Sequence, residues 1–330
     1  CGFECVGFHE CVEGMCEMVE FSGRSFMDTD RGLLYVAGAN GTVQRYSASL
    51  AMTPVFSASV SAVGGLSVSN DTAVLLNDRS GDDQIFFATD ASSSSNVTPD
   101  SYLGPGTINS SGRNEGLLAA GTENIWFDYG SQLGWFSIED TGTDGVISID
   151  NGSGMGHLVA RGDDVFAFNV VDDAIIRYSD SLKTGGPLAD FGILAGSHKG
   201  AAVDDDAVYY AACTIGFACR VVRAEKDTGA TLQLTPDFGN DNLQGTITDI
   251  AVDDQFLYVL TQRSGTNRIY RTPKDQQLAP ALVKEFVVGS GRQAHQVRAV
   301  AGRVFVLTAI SGSSSEKVVY FSKMTPPLMP

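Results

Sequence analysis

The chain has 330 residues, with 39 Asp plus Glu against 22 Lys plus Arg and a net charge of −17. Nucleic-acid phosphates and anionic lipid surfaces repel such a chain, and no basic stripe offsets this, so nucleic-acid binding is excluded. No apolar run approaches the ~20 residues that span a bilayer, and 43% hydrophobic with 18% charged residues and 37 glycines suits one closed domain of strands and turns.

The N-terminus is rich in cysteine. Cys1, Cys5, Cys11 and Cys16 crowd residues 1–16, and Cys213 and Cys219 are the only others. The spacing C-x3-C-x5-C-x4-C lacks the paired short knuckles of a structural zinc site, so two local disulfides are expected, with three pairings open. Cys213 and Cys219 bracket a five-residue loop between two apolar runs, which predicts a stapled hairpin. Disulfides imply export to an oxidising compartment, extracellular or at the cell surface. A cysteine in first position is also where a bacterial lipoprotein carries its lipid. Acylation of Cys1 would leave five cysteines, so parity favours a paired Cys1 with any anchor upstream.

From there on the sequence repeats. Residues 250–271, IAVDDQFLYVLTQRSGTNRIYR, show the unit: an apolar pair, a turn with Asp, an apolar-aromatic run, a loop, and a run ending in Arg. Weaker copies anchor on Leu34, Val74, Ile125, Val165, Val208, Leu257 and Val304, a period of roughly 40–50 residues. Short alternating runs at that period predict an all-β, seven-bladed β-propeller whose blades are four-stranded antiparallel sheets.

Lettering the strands a to d from the axis outward, the first repeat runs from 25 to about 59, with its inner hairpin at 33–37 and 42–46. The second is least regular and trails into a Ser/Thr/Asn loop at 90–99. The third is anchored at 124–127, with strand c at 134–138. The fourth reads 157–160, 164–169 and 174–178, with an outer strand near 187–193. The fifth reads 200–203, 207–212, 219–224 and 230–235, and the sixth 247–252, 256–261, 267–272 and 281–288. The last has a, b and c at 297–300, 303–308 and 317–322, then a tail with three prolines that is a poor ladder strand. Its missing strand is expected from the other end, because Glu17–Arg24 (EMVEFSGR) resembles the sixth outer strand and its exit. Residues 17–21 should therefore pair with the last strand c and close the ring, giving a Cys-rich segment 1–16 and a propeller 17–330. Pairing there covers a sheet edge.

The repeat core resembles YWTD, NHL and TolB-type propellers, and in look exported or lipoprotein propellers of myxobacteria. Val252-Asp-Asp with Leu257-Tyr-Val and Ile269-Tyr-Arg carry this, with Val203-Asp-Asp and Val208-Tyr-Tyr. The resemblance implies a binding or scaffold module and transfers no catalytic residue.

In a propeller, the d–a and b–c connections open on one face, where ligands usually sit. The d–a connections are expected to hold Arg24, Arg113, Glu115, His157, His198, Lys199, Arg292 and His295, a cationic rim suited to an anionic group. Ile215 and Phe217, at the tip of the stapled loop, are candidate contacts. Three histidines invite a metal, and Asp28-x-Asp30, Asp140 with Asp144, and Asp204–Asp206 invite structural calcium, but none has the full ligand ladder, and turn chemistry accounts for them better. No cofactor is expected. The reading is a non-catalytic propeller that binds a glycan, peptide or partner protein. A lyase on acidic polysaccharide is the alternative and needs His and Tyr in one cleft; a structural subunit of an oligomeric surface assembly is a third.

Overall fold

The computed structural model describes residues 11–12, 15–79, 82–104, 108, 118–129, 132–148, 155–169, 174–190, 195–214, 218–239, 245–287, 292–310 and 315–322. They form seven antiparallel sheets, and no helix among them is long and apolar enough to cross a membrane. The inner strands are Phe26–Asp30, Val63–Ser69, Leu118–Ala120, Met155–Arg161, Ala195–Val203, Thr246–Val252 and Arg292–Val300. Strands b, c and d follow outward in chain order in the first six blades. Seven clusters of buried apolar side chains lie between the sheets, one at each junction, including one that joins the last blade to the first. This is the seven-bladed propeller the repeat predicts. Alternation along each strand sends successive side chains to opposite neighbours, so every blade is glued on both faces.

The repeat has a chemical reason. In the fifth blade Asp204 Oδ1 accepts the amides of Asp206 and Ala207 at 2.9 and 2.8 Å, and Tyr209 donates its hydroxyl to Oδ2 at 2.9 Å. In the sixth, Asp253 does the same for Gln255, Phe256 and Tyr258 at 2.8, 2.8 and 3.0 Å. One carboxylate caps the a–b turn and satisfies a buried tyrosine, which fixes the Asp-x4-Tyr spacing.

The ring closes as expected. Strand Met15–Ser22 lies against Ser315–Ser322, with Glu17 opposite Val319 and Phe21 opposite Glu316. Lys317 sits between Glu17 and Glu20 at 2.7 and 3.1 Å. Cys16, Met18, Val19 and Phe21 pack in the junction with the first blade, and Met15 in the junction with the sixth. Phe21 lies over Gly38, where a Cβ would stand 2.8 Å from its ring. A short strand, Cys11–Val12, adds outside this one with Cys11 opposite Cys16. Cys16 is disulfide-bonded, while Cys1 and Cys5 lie outside the described residues. Cys213 and Cys219 form the predicted staple between strands b and c of the fifth blade.

One expectation is corrected. The outer strand of the fourth blade is Thr184–Asp190, not 187–193. Gly185 and Gly186 look like a turn in sequence, but Gly185 is the residue that lets Tyr178 lie flat against the strand, and Pro187 is accommodated on an edge beside a bulge. The loop at 90–99 is also more than a connection. Asn96 and Val97 donate their amides to Pro54 and Val55 at 3.1 and 3.0 Å, so it covers the outer edge of the first blade.

Candidate functional site

The inner strands turn one edge toward the axis, where no further strand can pair with it. Their amides need acceptors, and inward side chains supply them. Asp28 of the first blade accepts from Val68 of the second at 2.6 Å, and Asp249 of the sixth from Val297 of the last at 2.8 Å. Gln296 of the last blade accepts from Met27 of the first at 2.7 Å, and Glu316 from Ser25 at 2.6 Å. Each bond ties one blade to the next.

Between the strands lies a channel cavity of about 130 Å³, lined by residues of all seven inner strands. In its wall Arg298 stands between two carboxylates, with Nη1 2.9 Å from Asp249 Oδ2 and Nε 3.5 Å from Asp28 Oδ1. Burial pushes both carboxyls up, that of Asp249 to about 6, against the opposing pull of Arg298. His157 lines the same cavity, its ring edge-on to Phe168 at 6.3 Å.

Near the a–b turns the channel is bridged from side to side. Arg161 of the fourth blade reaches Asp30 of the first at 3.4 Å and Asp205 of the fifth at 2.8 Å. Asn70 of the second blade exchanges hydrogen bonds with Gly162 of the fourth at 3.1 and 2.9 Å and donates to Ala120 of the third at 3.0 Å. Burial raises the Asp30 carboxyl, although the Asp71 amide and Arg161 oppose it.

The candidate residues are spread over several places. Arg24 lies in a d–a connection as expected, with its guanidinium over the Phe26 ring at 5.0 Å. His157, His198, Lys199, Arg292 and His295 do not lie in connections; they belong to inner strands, which begin earlier than the sequence indicates. The physical reason is a recurring β-bulge. Gly64, Gly156, Lys199, Thr248 and His295 are extra residues, each six positions ahead of the a–b turn in its blade, and they let pairing continue past an irregularity. Arg24 and His295 meet in a small cleft at the seam with Ser25, Phe26, Gln296, Leu307 and Glu316. His157 lines the channel instead. For His198 and Arg292 the structure describes the backbone only, and Arg113, Glu115, Ile215 and Phe217 lie outside the described residues.

The acidic pairs divide. Asp204 and Asp140 are turn caps, the latter accepting from Gly142 at 3.1 Å and Thr143 at 2.9 Å. Asp28 and Asp30 are not; they sit in an inner strand and face the channel, because a strand of alternating side chains puts both on one side. Among the described residues no group of three or more His, Cys, Asp or Glu is placed to hold a metal ion. Sequence reasoning missed Arg161, Asp249 and Arg298. For Asp249 and Arg298 the signal was a charge inside an otherwise apolar strand a, as in Val297-Arg298-Ala299.

No family model and no curated protein matches the chain. Solved structures share the fold. The WD40 repeats of RRP9 align over 90% of this chain and 93% of that one at 9% identity and a TM-score of 0.59. The computationally designed Ika8 protein aligns over 92% and 99% at 14% identity and 0.55. BamB from Moraxella catarrhalis aligns over 91% and 85% at 11% identity and 0.51. At such identities the likeness is one of architecture.

Proposed function

We propose that this chain is an exported, non-catalytic propeller of the YWTD/NHL/TolB type that recognises a glycan, peptide or partner protein at the face carrying the d–a and b–c connections. The observation that carries this reading is the use already made of the channel's charges. Asp28, Asp249, Arg298, Asp30 and Arg161 join blades to one another, and the a–b end is bridged across the axis. A ligand is left the opposite face, where Arg24 and Lys199 supply positive charge on an acidic body and His295 a further polar group. The Cys213–Cys219 staple supports an oxidising compartment. His157 and His295 line separate cavities, and neither lining includes a tyrosine, which favours binding over a lyase.

The test is a binding screen against acidic and neutral glycans and basic and acidic peptides. A variant carrying Arg24→Ala, Lys199→Ala and His295→Ala serves as the control. Salt-sensitive binding of an acidic ligand that the variant loses supports the reading. Equal binding by the variant, or turnover of a glycan to unsaturated ends, overturns it.

A further inference from the structure

Three inner strands meet at Arg298: its own in the last blade, that of Asp28 in the first, and that of Asp249 in the sixth. The last of these blades carries the seam in its outer strands, where strands from opposite ends of the chain pair, and the other two flank it. One guanidinium faces two carboxylates, so the stack as charged carries one excess negative charge. Asp249 is buried, and the Arg298 side chain is only 12% exposed. Neutral donors help but do not cancel that charge: Asp28 accepts from Thr29 and Val68, and Asp249 from Ile250 and Val297. The neighbouring inner strand brings no charge to the contact, since the fifth blade presents Gly200, where a Cβ would stand 3.0 Å from Asp249 Oδ1. Lys199 precedes it in that strand. The other titratable and charged groups facing the cavity are Asp30 from the first blade and His157 and Arg161 from the fourth; Arg161 is engaged with Asp30 and Asp205.

We propose that the Asp28–Arg298–Asp249 stack is an acidity sensor built into the seam: it takes up one proton in mildly acidic surroundings and thereby tightens the junctions of the sixth, last and first blades. A buried ion with too few counter-charges is relieved by neutralisation. The sign follows from linkage. Burial raises the Asp249 carboxyl to about 6 in the fold, so between that value and the ordinary carboxylate range the folded chain binds more protons than the unfolded one. Stability then rises as pH falls through this window, opposite to the usual effect of acid. The carboxyls held low, Asp163, Asp204 and Asp205, lose their contribution only below it.

The experiment is a titration of the whole chain carrying carbon-13 label in its aspartate carboxyls, with thermal unfolding followed over the same range. One aspartate should titrate well above the others and vanish from the spectrum of Asp249→Asn. The wild-type unfolding midpoint should rise by about 1 °C between about pH 7.5 and about pH 5.5, and most of that rise should be lost in Asp249→Asn. The proposal is overturned if every aspartate titrates in the ordinary range, or if Asp249→Asn keeps the full rise. Should that variant fail to fold, the wild-type titration decides alone: a raised carboxyl with a rising midpoint supports the sensor, and a flat or falling midpoint removes it.

Discussion

The a–b turn of the first blade and those of the fifth and sixth begin from the same spacing and end differently. Asp30 and Tyr35, Asp204 and Tyr209, and Asp253 and Tyr258 are each five residues apart. In the fifth and sixth blades the carboxylate caps its turn and accepts the tyrosine hydroxyl. In the first blade the carboxylate faces the axis, where it accepts the Asp71 amide at 2.8 Å and meets Arg161, while the buried Tyr35 hydroxyl has no hydrogen-bond partner among the described residues. The turn residues make the difference. Arg31 and Gly32 both have positive φ, at 48° and 75°, whereas the turns after Asp204 and Asp253 contain no such residue. A turn with two left-handed residues carries most of its amides away from the preceding side chain, so Asp30 keeps only the Arg31 amide of its own turn and is free for another role. Turn type thus decides whether a repeat aspartate serves its own blade or the ring.

Variants can break this contrast, the strongest first. Asp204→Ala strips Tyr209, two turn amides and Lys274, whose ammonium lies 2.7 Å away, of a shared partner. It should cost about 3 kcal/mol in urea unfolding. Asp30→Ala removes one cross-channel contact and the acceptor of the Asp71 and Arg31 amides, but strips no tyrosine, and should cost less, about 1–2 kcal/mol. Gly32→Ala puts a side chain at a left-handed position and should cost about 1 kcal/mol.

Tyrosine-to-phenylalanine changes sharpen the contrast further. Tyr209→Phe and Tyr258→Phe should each cost about 1 kcal/mol, and Tyr35→Phe should be neutral or stabilising, since it removes an unpaired buried hydroxyl. The smallest effect is one of pH. Burial alone would raise the Asp204 carboxyl, but Lys274, the turn amides and Tyr209 outweigh it and hold it low, so its contribution persists above the ordinary carboxylate range and fades as pH falls below it. Burial leaves Asp30 raised instead, so its contribution grows as pH falls toward that range. The stability lost in Asp204→Asn relative to wild type should therefore shrink as pH falls below the ordinary carboxylate range, and that lost in Asp30→Asn should grow as pH falls toward it.

How much of this was legible follows from what each feature depends on. The seam was readable because Glu17–Arg24 repeats a pattern seen in full elsewhere, and alternation carries the core. The hairpin staple was readable because only five residues lie between Cys213 and Cys219. The bulges were not, since one extra residue leaves the hydrophobic pattern intact on either side and shows only as a shift in pairing. The bulges also hid the start of the inner strands, which placed His157, Lys199 and His295 in loops. The channel charges were hidden for a different reason. Asp28 and Asp30 satisfy a turn signature as well as a strand, and only the closed ring shows that the side chains face an axis where amides need acceptors.

The central claim is that turn type assigns the repeat aspartate to its own tyrosine or to the ring. Two double-mutant cycles measured by urea unfolding test it most directly, Asp204→Ala with Tyr209→Phe and Asp30→Ala with Tyr35→Phe. The first cycle should show a coupling of about 1 kcal/mol and the second a coupling near zero. Equal coupling in the two cycles would contradict the account.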